Sequence, residues 1–158
     1  MAAALESGGL TRGPRVAEFE RAVSAYCGAV HAVACSNCTT ALHLALLALD
    51  GGPGDEVIVP SLTFIATANA VVHCGARPVF ADVDEHLCLS PESIRERIGD
   101  RTRAVMFVGH GGNPGRLEEV AALCRERGLR LILDAAHMTG TRLHGRHIGP
   151  EADATVFS

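Results

Sequence analysis

A chain of 158 residues with 47% hydrophobic content has the length of about one domain and enough apolar mass for a true core, which excludes an intrinsically disordered segment. Fourteen basic residues, all of them arginine, stand against 18 acidic ones with no basic block, which argues against nucleic acid as a partner. No basic segment leads into an apolar run at the start and no stretch approaches the roughly 18 apolar residues of a membrane span, so the expectation is a cytoplasmic protein whose six cysteines (27, 35, 38, 74, 88 and 124) are reduced thiols in or near the core.

Along the chain the apolar pattern switches between helical and strand periods. After Pro14, the residues Val16, Phe19, Val23 and Tyr26 recur at helical spacing, and Gly28 is a natural stop. AVHAVAC (29–35) is expected as a short strand. TTALHLALLALD (39–50) predicts a helix that is apolar nearly all round and therefore buried. A turn at GGPGD (51–55) leads to a buried strand, EVIVP (56–60), and then to a helix, FIATANAVVHC (64–74), closed by Gly75. RPVFADV (77–83) is a strand. In SPESIRERI (90–98), Ser90 is the expected N-cap and Pro91 the first helical residue. RAVMFV (103–108) is a strand, PGRLEEVAALCRERG (114–128) a helix, LRLILD (129–134) a strand, and ADATVFS (152–158) opens one more. Apolar runs alternating with helices of 10–15 residues predict an α/β fold with a mainly parallel sheet covered on both faces, a three-layer arrangement. Ligands of such sheets sit at the C-terminal ends of the strands.

Three stretches place chemistry there. In ACSNCTTALHLALL (34–47), small polar residues run into a helix whose free N–H groups and dipole favour an anion, although Ser36 or Asn37 capping the helix explains the pattern equally well. In VPSLTFIATANA (59–70), Phe64 follows a strand end, where it either covers a flat ring or fills the core. Asp134 closes an apolar strand, with His137 behind it, and an unpaired carboxylate there would be costly. It either caps the next segment or meets a cation such as a protonated aromatic nitrogen. Cys35-x-x-Cys38 resembles half a metal knuckle, but no second Cys-x-x-Cys completes four ligands, so no metal site is expected.

Read together, LTRGPRVAEFERAVSAYCGAVHAVACSNCTTALHLALLALDGGPGDEVIVPSLTFIATANAVVHCGARPVFADVD and LILDAAHMTGT…ADATVFS resemble the DegT/StrS-type (DegT/DnrJ) sugar aminotransferases, pyridoxal phosphate (PLP) enzymes of the aspartate-aminotransferase fold, fold type I. The resemblance implies an N-terminal segment at 1–13 and, at 14–158, the N-terminal part of an incomplete PLP-binding large domain. It carries roles to named positions. Cys38 and Thr39 match the phosphate-binding turn, with cysteine where glycine or alanine is usual. Phe64 matches the aromatic stacked on the PLP ring, Asp134 the acid on the pyridine nitrogen, His137 a Gln/His near the phenolic oxygen, and Ser158 a serine reaching the phosphate. FVGHGGNPG (107–115) departs from the usual His-x-aromatic-Gly pattern. The implied reaction moves an amino group from an amino acid to a keto-sugar carried on a nucleotide, in a homodimer of the full-length protein.

Transamination through PLP needs a Schiff-base lysine, and this chain contains no lysine. In the family that lysine lies a few residues beyond the Phe-Ser motif, so the expectation is an N-terminal fragment, inactive alone, with no catalytic residue of its own. The alternatives are a PLP-dependent sugar dehydratase, in which histidine replaces the lysine, and a non-catalytic ligand-binding or interaction domain.

Overall fold

The computed structural model describes residues 5, 6, 8 and 13–158. The chain forms two compact units, residues 1–35 and 36–158.

The first unit contains helix α1 (Pro14–Cys27). Proline occupies its first turn, where its missing N–H costs nothing, and Gly28 ends it in the left-handed conformation with φ of 69°. The stretch 29–35 corrects an expectation: it is not a strand. Val30 and Val33 are exposed, and a strand exists only by pairing. Here Ala29 N–H turns back to Ser24 O, and Ala34 N–H donates to the Glu20 carboxylate. Cys35 accordingly ends no strand and is exposed.

The second unit is built on five parallel strands: β1 (Glu56–Pro60), β2 (Arg77–Ala81), β3 (Thr102–Val108), β4 (Arg130–Ala135) and β7 (Ala154–Phe157). Their order in the sheet is β2-β1-β3-β4-β7. Helices α2 (Cys38–Ala48) and α3 (Ala66–His73) cover one face, and α4 (Pro91–Arg97) and α5 (Leu117–Arg127) the other. This is the predicted three-layer α/β arrangement. A two-stranded antiparallel hairpin, β5 (Arg142–Leu143) with β6 (Arg146–His147), lies between β4 and β7 in the chain.

Period-2 alternation assigns the side chains to two cores. Val57, Val59, Ala104, Met106 and Ile132 join Leu42, Leu46 and Val71 on the α2–α3 face. Ile58, Val105, Phe107, Leu131 and Leu133 join Ile94, Leu117 and Leu123 on the opposite face. Both faces of the central strands are therefore buried, which is why β1, β3 and β4 read as unbroken apolar runs. Helix α4 starts as predicted, with Ser90 Oγ accepting from Ser93 N–H and Pro91 following. Helix α2 does not match its expected burial: Leu42 and Leu46 are sealed, whereas Leu44 and Leu47 are about half exposed. An apolar helix packed on one sheet face covers only the stripe that touches the sheet.

Chain order reverses at the centre of the sheet. From β1 the chain leaves through α3 to β2 on one side, and from β3 it leaves through α5 to β4 on the other. The connections out of β1 and β3 thus part toward opposite faces at the C-terminal edge, the place where open α/β sheets carry their ligands. At the other edge, the buried Glu56 pairs with Arg77 and Arg101, tying the starts of β1, β2 and β3. No helix among the described residues is long and apolar enough to cross a membrane.

The loop leaving β3 is held by close packing. A Cβ at Gly109 would lie 1.9 Å from Met138 Sδ, and Met138 is fully buried. We therefore expect Gly109→Ala to cost about 1–3 kcal/mol by overpacking, read as a lowered midpoint in urea unfolding. An unchanged midpoint would show that Met138 has room to move aside.

Candidate active site

Strand β4 sets up the site. Leu131, Leu133 and Ala135 face the α4–α5 core, so Ile132 and Asp134 face α2 and α3. Asp134 ends that stripe, 6% exposed, between Val108 of β3 and Val156 of β7 in register. Among the described residues its carboxylate meets only neutral hydrogen-bond donors. Thr67 Oγ1, from α3, donates to Oδ2 at 2.9 Å. Ala136 N–H donates to Oδ1 at 3.3 Å, and the Cys38 thiol, at the start of α2, points at Oδ1 from 3.9 Å. The Ala136 bond is a local cap of the kind expected of an aspartate at a strand end. No arginine or histidine among the described residues forms an ion pair with Asp134.

Burial pushes the Asp134 carboxyl above its ordinary value, against the lowering effects of the Thr67 hydroxyl, the Ala136 N–H, the His137 ring and the Cys38 thiol. Cys38 responds in kind: burial first, then the neighbouring Asp134, push its thiol up to about 11. It therefore stays a protonated donor rather than a nucleophile.

The rest of the C-terminal edge supplies contrasting chemistry. Asn37 caps α2, its Oδ1 accepting from Thr40 N–H at 2.9 Å, so the capping explanation of this stretch holds for Asn37. The N–H groups of Cys38 and Thr39 keep no partner among the described residues, and they remain open to an anion. Phe64 lies on the connection from β1 to α3, three residues before Thr67, and is 76% exposed. Phe64 belongs to neither of the two cores. Ser158 follows β7 at the same edge and is exposed.

His137 is exposed, and its Nδ1 accepts from Gly111 N–H at 3.3 Å, while its ring meets His110 edge to face, centroids 6.0 Å apart. With Nδ1 accepting, the proton of the neutral ring sits on Nε2, where it is a donor. The GHGG loop (109–112) and the loop after β4 are thus joined, and Thr141 Oγ1 donating to Gly112 O at 2.9 Å joins them again. All six sequence-derived site residues belong to the second unit and lie on connections or termini at its C-terminal edge. Asp134 and Cys38 are in direct contact; among the described residues no hydrogen bond joins Thr39, Phe64, His137 or Ser158 to Asp134.

Two contributors escaped sequence reasoning. Thr67 and, behind it, Thr63 bond each other at 2.8 Å. The available signal was a threonine inside an otherwise apolar, buried helix face. Four of the six cysteines are buried; Cys38 is half-buried and Cys35 exposed, and all six are free thiols.

Comparison with known proteins decides the family. The profile of the DegT/DnrJ/EryC1/StrS aminotransferase family matches residues 1–158. This chain belongs to that family. It is 47% identical over 155 residues to the spore coat polysaccharide biosynthesis protein SpsC of Bacillus subtilis strain 168, covering 98% of this chain and 40% of SpsC. The crystal structure of the aminotransferase TlmJ from Streptoalloteichus hindustanus superposes with a TM-score of 0.90 at 40% identity, covering 99% of this chain and 44% of TlmJ. Spr1654 from Streptococcus pneumoniae, solved in its PLP-form, superposes with a TM-score of 0.94 at 29% identity, covering 99% of this chain and 44% of Spr1654. The chain therefore spans about two-fifths of the length of these relatives, and its parallel sheet is part of the aminotransferase fold.

A carboxyl raised by burial makes the folded, ligand-free chain bind a proton more tightly than the unfolded one. Asp134 thus favours folding below about pH 3.9 and loses that contribution as pH rises through its elevated folded value. We expect Asp134→Asn to raise the melting temperature of the ligand-free chain at pH 7 and to leave it nearly unchanged near pH 3.5. Equal melting temperatures at pH 7 would show that the carboxylate is already compensated.

Proposed function

We propose that this chain forms the cofactor-holding part of a PLP-dependent sugar aminotransferase, in which an amino acid donates and a nucleotide-linked keto-sugar accepts the amino group, within a homodimer of the full-length protein. The observation that carries the reading is Asp134: a buried carboxylate at the C-terminal edge whose partners among the described residues are all neutral, and whose carboxyl burial pushes up. Such a site is completed by a flat cation bearing one N–H, and a protonated pyridine nitrogen fits that description. When bound, PLP supplies an electron sink, because its protonated ring draws charge from the carbon that loses a proton.

The chain's own residues then have separable tasks. Asp134 keeps the ring nitrogen protonated, since a carboxylate within contact distance favours the charged form and the apolar walls of β3, β4 and β7 strengthen the pair. Phe64 covers one ring face and limits water. The N–H groups of Cys38 and Thr39, the Thr39 hydroxyl and Ser158 hold the phosphate at the start of α2. His137 offers its Nε2 proton to the phenolic oxygen. No side chain of this chain can carry the cofactor covalently in the way a lysine does, because it has no lysine and arginine stays protonated at any working pH. On this reading the 158-residue chain binds PLP and does not transaminate alone.

Titration with PLP, followed by absorbance, tests this. We expect Asp134→Ala to weaken binding by about 10- to 100-fold, the loss of one charge-assisted hydrogen bond, and Asp134→Glu to weaken it less. Borohydride reduction and peptide mapping should find no PLP on any internal residue. Equal affinity for wild type and Asp134→Ala would refute the site, and amino transfer by the lysine-free chain would refute its division of labour.

A further inference from the structure

Asp134 is backed by two threonines that the cofactor reading leaves without a task. Thr67 is fully buried, its hydroxyl 2.9 Å from Asp134 Oδ2, and Thr63 Oγ1 lies 2.8 Å from Thr67 Oγ1. A hydroxyl carries one proton, and an ionised carboxylate only accepts. Thr67 therefore spends its proton on Asp134, and the bond between the threonines runs with Thr63 as donor. The order is Thr63 to Thr67 to Asp134, a short chain in which each bond polarises the next.

A purely structural role explains this poorly. Valine has nearly the same shape as threonine and would suit the apolar surroundings of α3 without burying a hydroxyl. Nor does Thr67 spend its proton on the backbone of its own helix, the usual habit of a threonine inside one; its hydroxyl reaches across to β4. We propose that Thr67, oriented by Thr63, is a positioning residue that holds the Asp134 carboxylate ionised and fixed in orientation before any ligand arrives. The inference rests on reading Asp134 as the partner of a ring nitrogen. A hydrogen bond to the charged form of an acid favours that form, so the pair works against the burial that raises Asp134, and a carboxylate already aimed need not reorient on binding.

The groups facing Asp134 from each packed element are few. Cys38 comes from α2, Thr67 from α3, His137 from the loop after β4, and the neighbours in register on β3 and β7 are Val108 and Val156. Cys38, pushed up to about 11, keeps its proton across the acidic and neutral range. Among the described residues, His137 is the other titratable group acting on Asp134, and the measurement is repeated in a His137→Gln background.

The test follows the Asp134 carboxyl carbon by NMR through a pH titration of the full, ligand-free chain. Thr67→Val should raise the apparent Asp134 pKa by about one pH unit or more. Thr67→Ser, which restores the hydroxyl, should return it to within a few tenths of wild type, and Thr63→Ala should raise it by less than Thr67→Val. Should Thr67→Val fail to fold, Thr63→Ala against Thr63→Ser carries the same comparison from a less buried position. An Asp134 titration that is the same in Thr67→Val and Thr67→Ser overturns the proposal, as does one that Thr63→Ala leaves unmoved in that second comparison. Failure of the wild-type chain to bind PLP is a different signal; it overturns the reading of the site itself, and with it the purpose assigned to the pair.

Discussion

The structure turns on one costly placement: a carboxylate sealed at the end of an apolar strand, with hydroxyl, thiol and amide donors and, among the described residues, no ion pair. An ionised acid in that position loses most of its hydration, and neutral hydrogen bonds repay only part of the loss. Burial raising Asp134 is the direct trace of this imbalance. A fold keeps such a group when something else completes it. Perturbed carboxyls in crevices mark functional positions for that physical reason, and stability is given up there in exchange for binding.

Everything that makes the placement possible belongs to the parallel sheet. Two buried faces force β3 and β4 to be apolar along their length, and strand alternation then turns Asp134 toward α2 and α3 rather than toward α4 and α5. The reversal of chain order between β1 and β3 opens the edge where it emerges. Helix α2 contributes the N–H groups of Cys38 and Thr39, which have no partner among the described residues, and with them a partial positive charge at the same edge. On the proposed reading, anion recognition and cation recognition lie side by side, as a ligand with a phosphate at one end and a protonated ring at the other requires. The GHGG loop adds a third element, fixing which nitrogen of His137 holds the proton.

Much of this was legible in the sequence because it depends on local rules. Strand β1 spans Glu56–Pro60 as its apolar run and proline stop predict, and Ser90 with Pro91 starts α4 as capping chemistry predicts. The α/β class followed from apolar runs alternating with helices. Residues 29–35 misled because a strand needs a neighbour, and apolar composition says nothing about whether one is offered. The burial of α2 was overstated for a related reason: hydropathy does not reveal how many sides of a helix are covered, and Leu44 and Leu47 are not. At the site, Asp134 and Phe64 stood out by type and position, whereas Cys38 entered only through the family resemblance. Thr67 did not stand out, since its bond to Asp134 joins residues 67 apart in sequence and no periodicity encodes it. Cys38 matched a phosphate-binding turn, and its thiol lying against Asp134 is likewise a product of tertiary packing.

The central claim is that Asp134 exists to hold a protonated ring nitrogen. The most direct measurement is the 15N NMR signal of PLP labelled at the ring nitrogen and bound to this protein at neutral pH. The account predicts a pyridinium signal with wild-type protein and a neutral pyridine signal with Asp134→Asn, which keeps the size of the side chain and removes its charge. A neutral ring nitrogen in the wild-type complex, or a pyridinium that persists in Asp134→Asn, would contradict it.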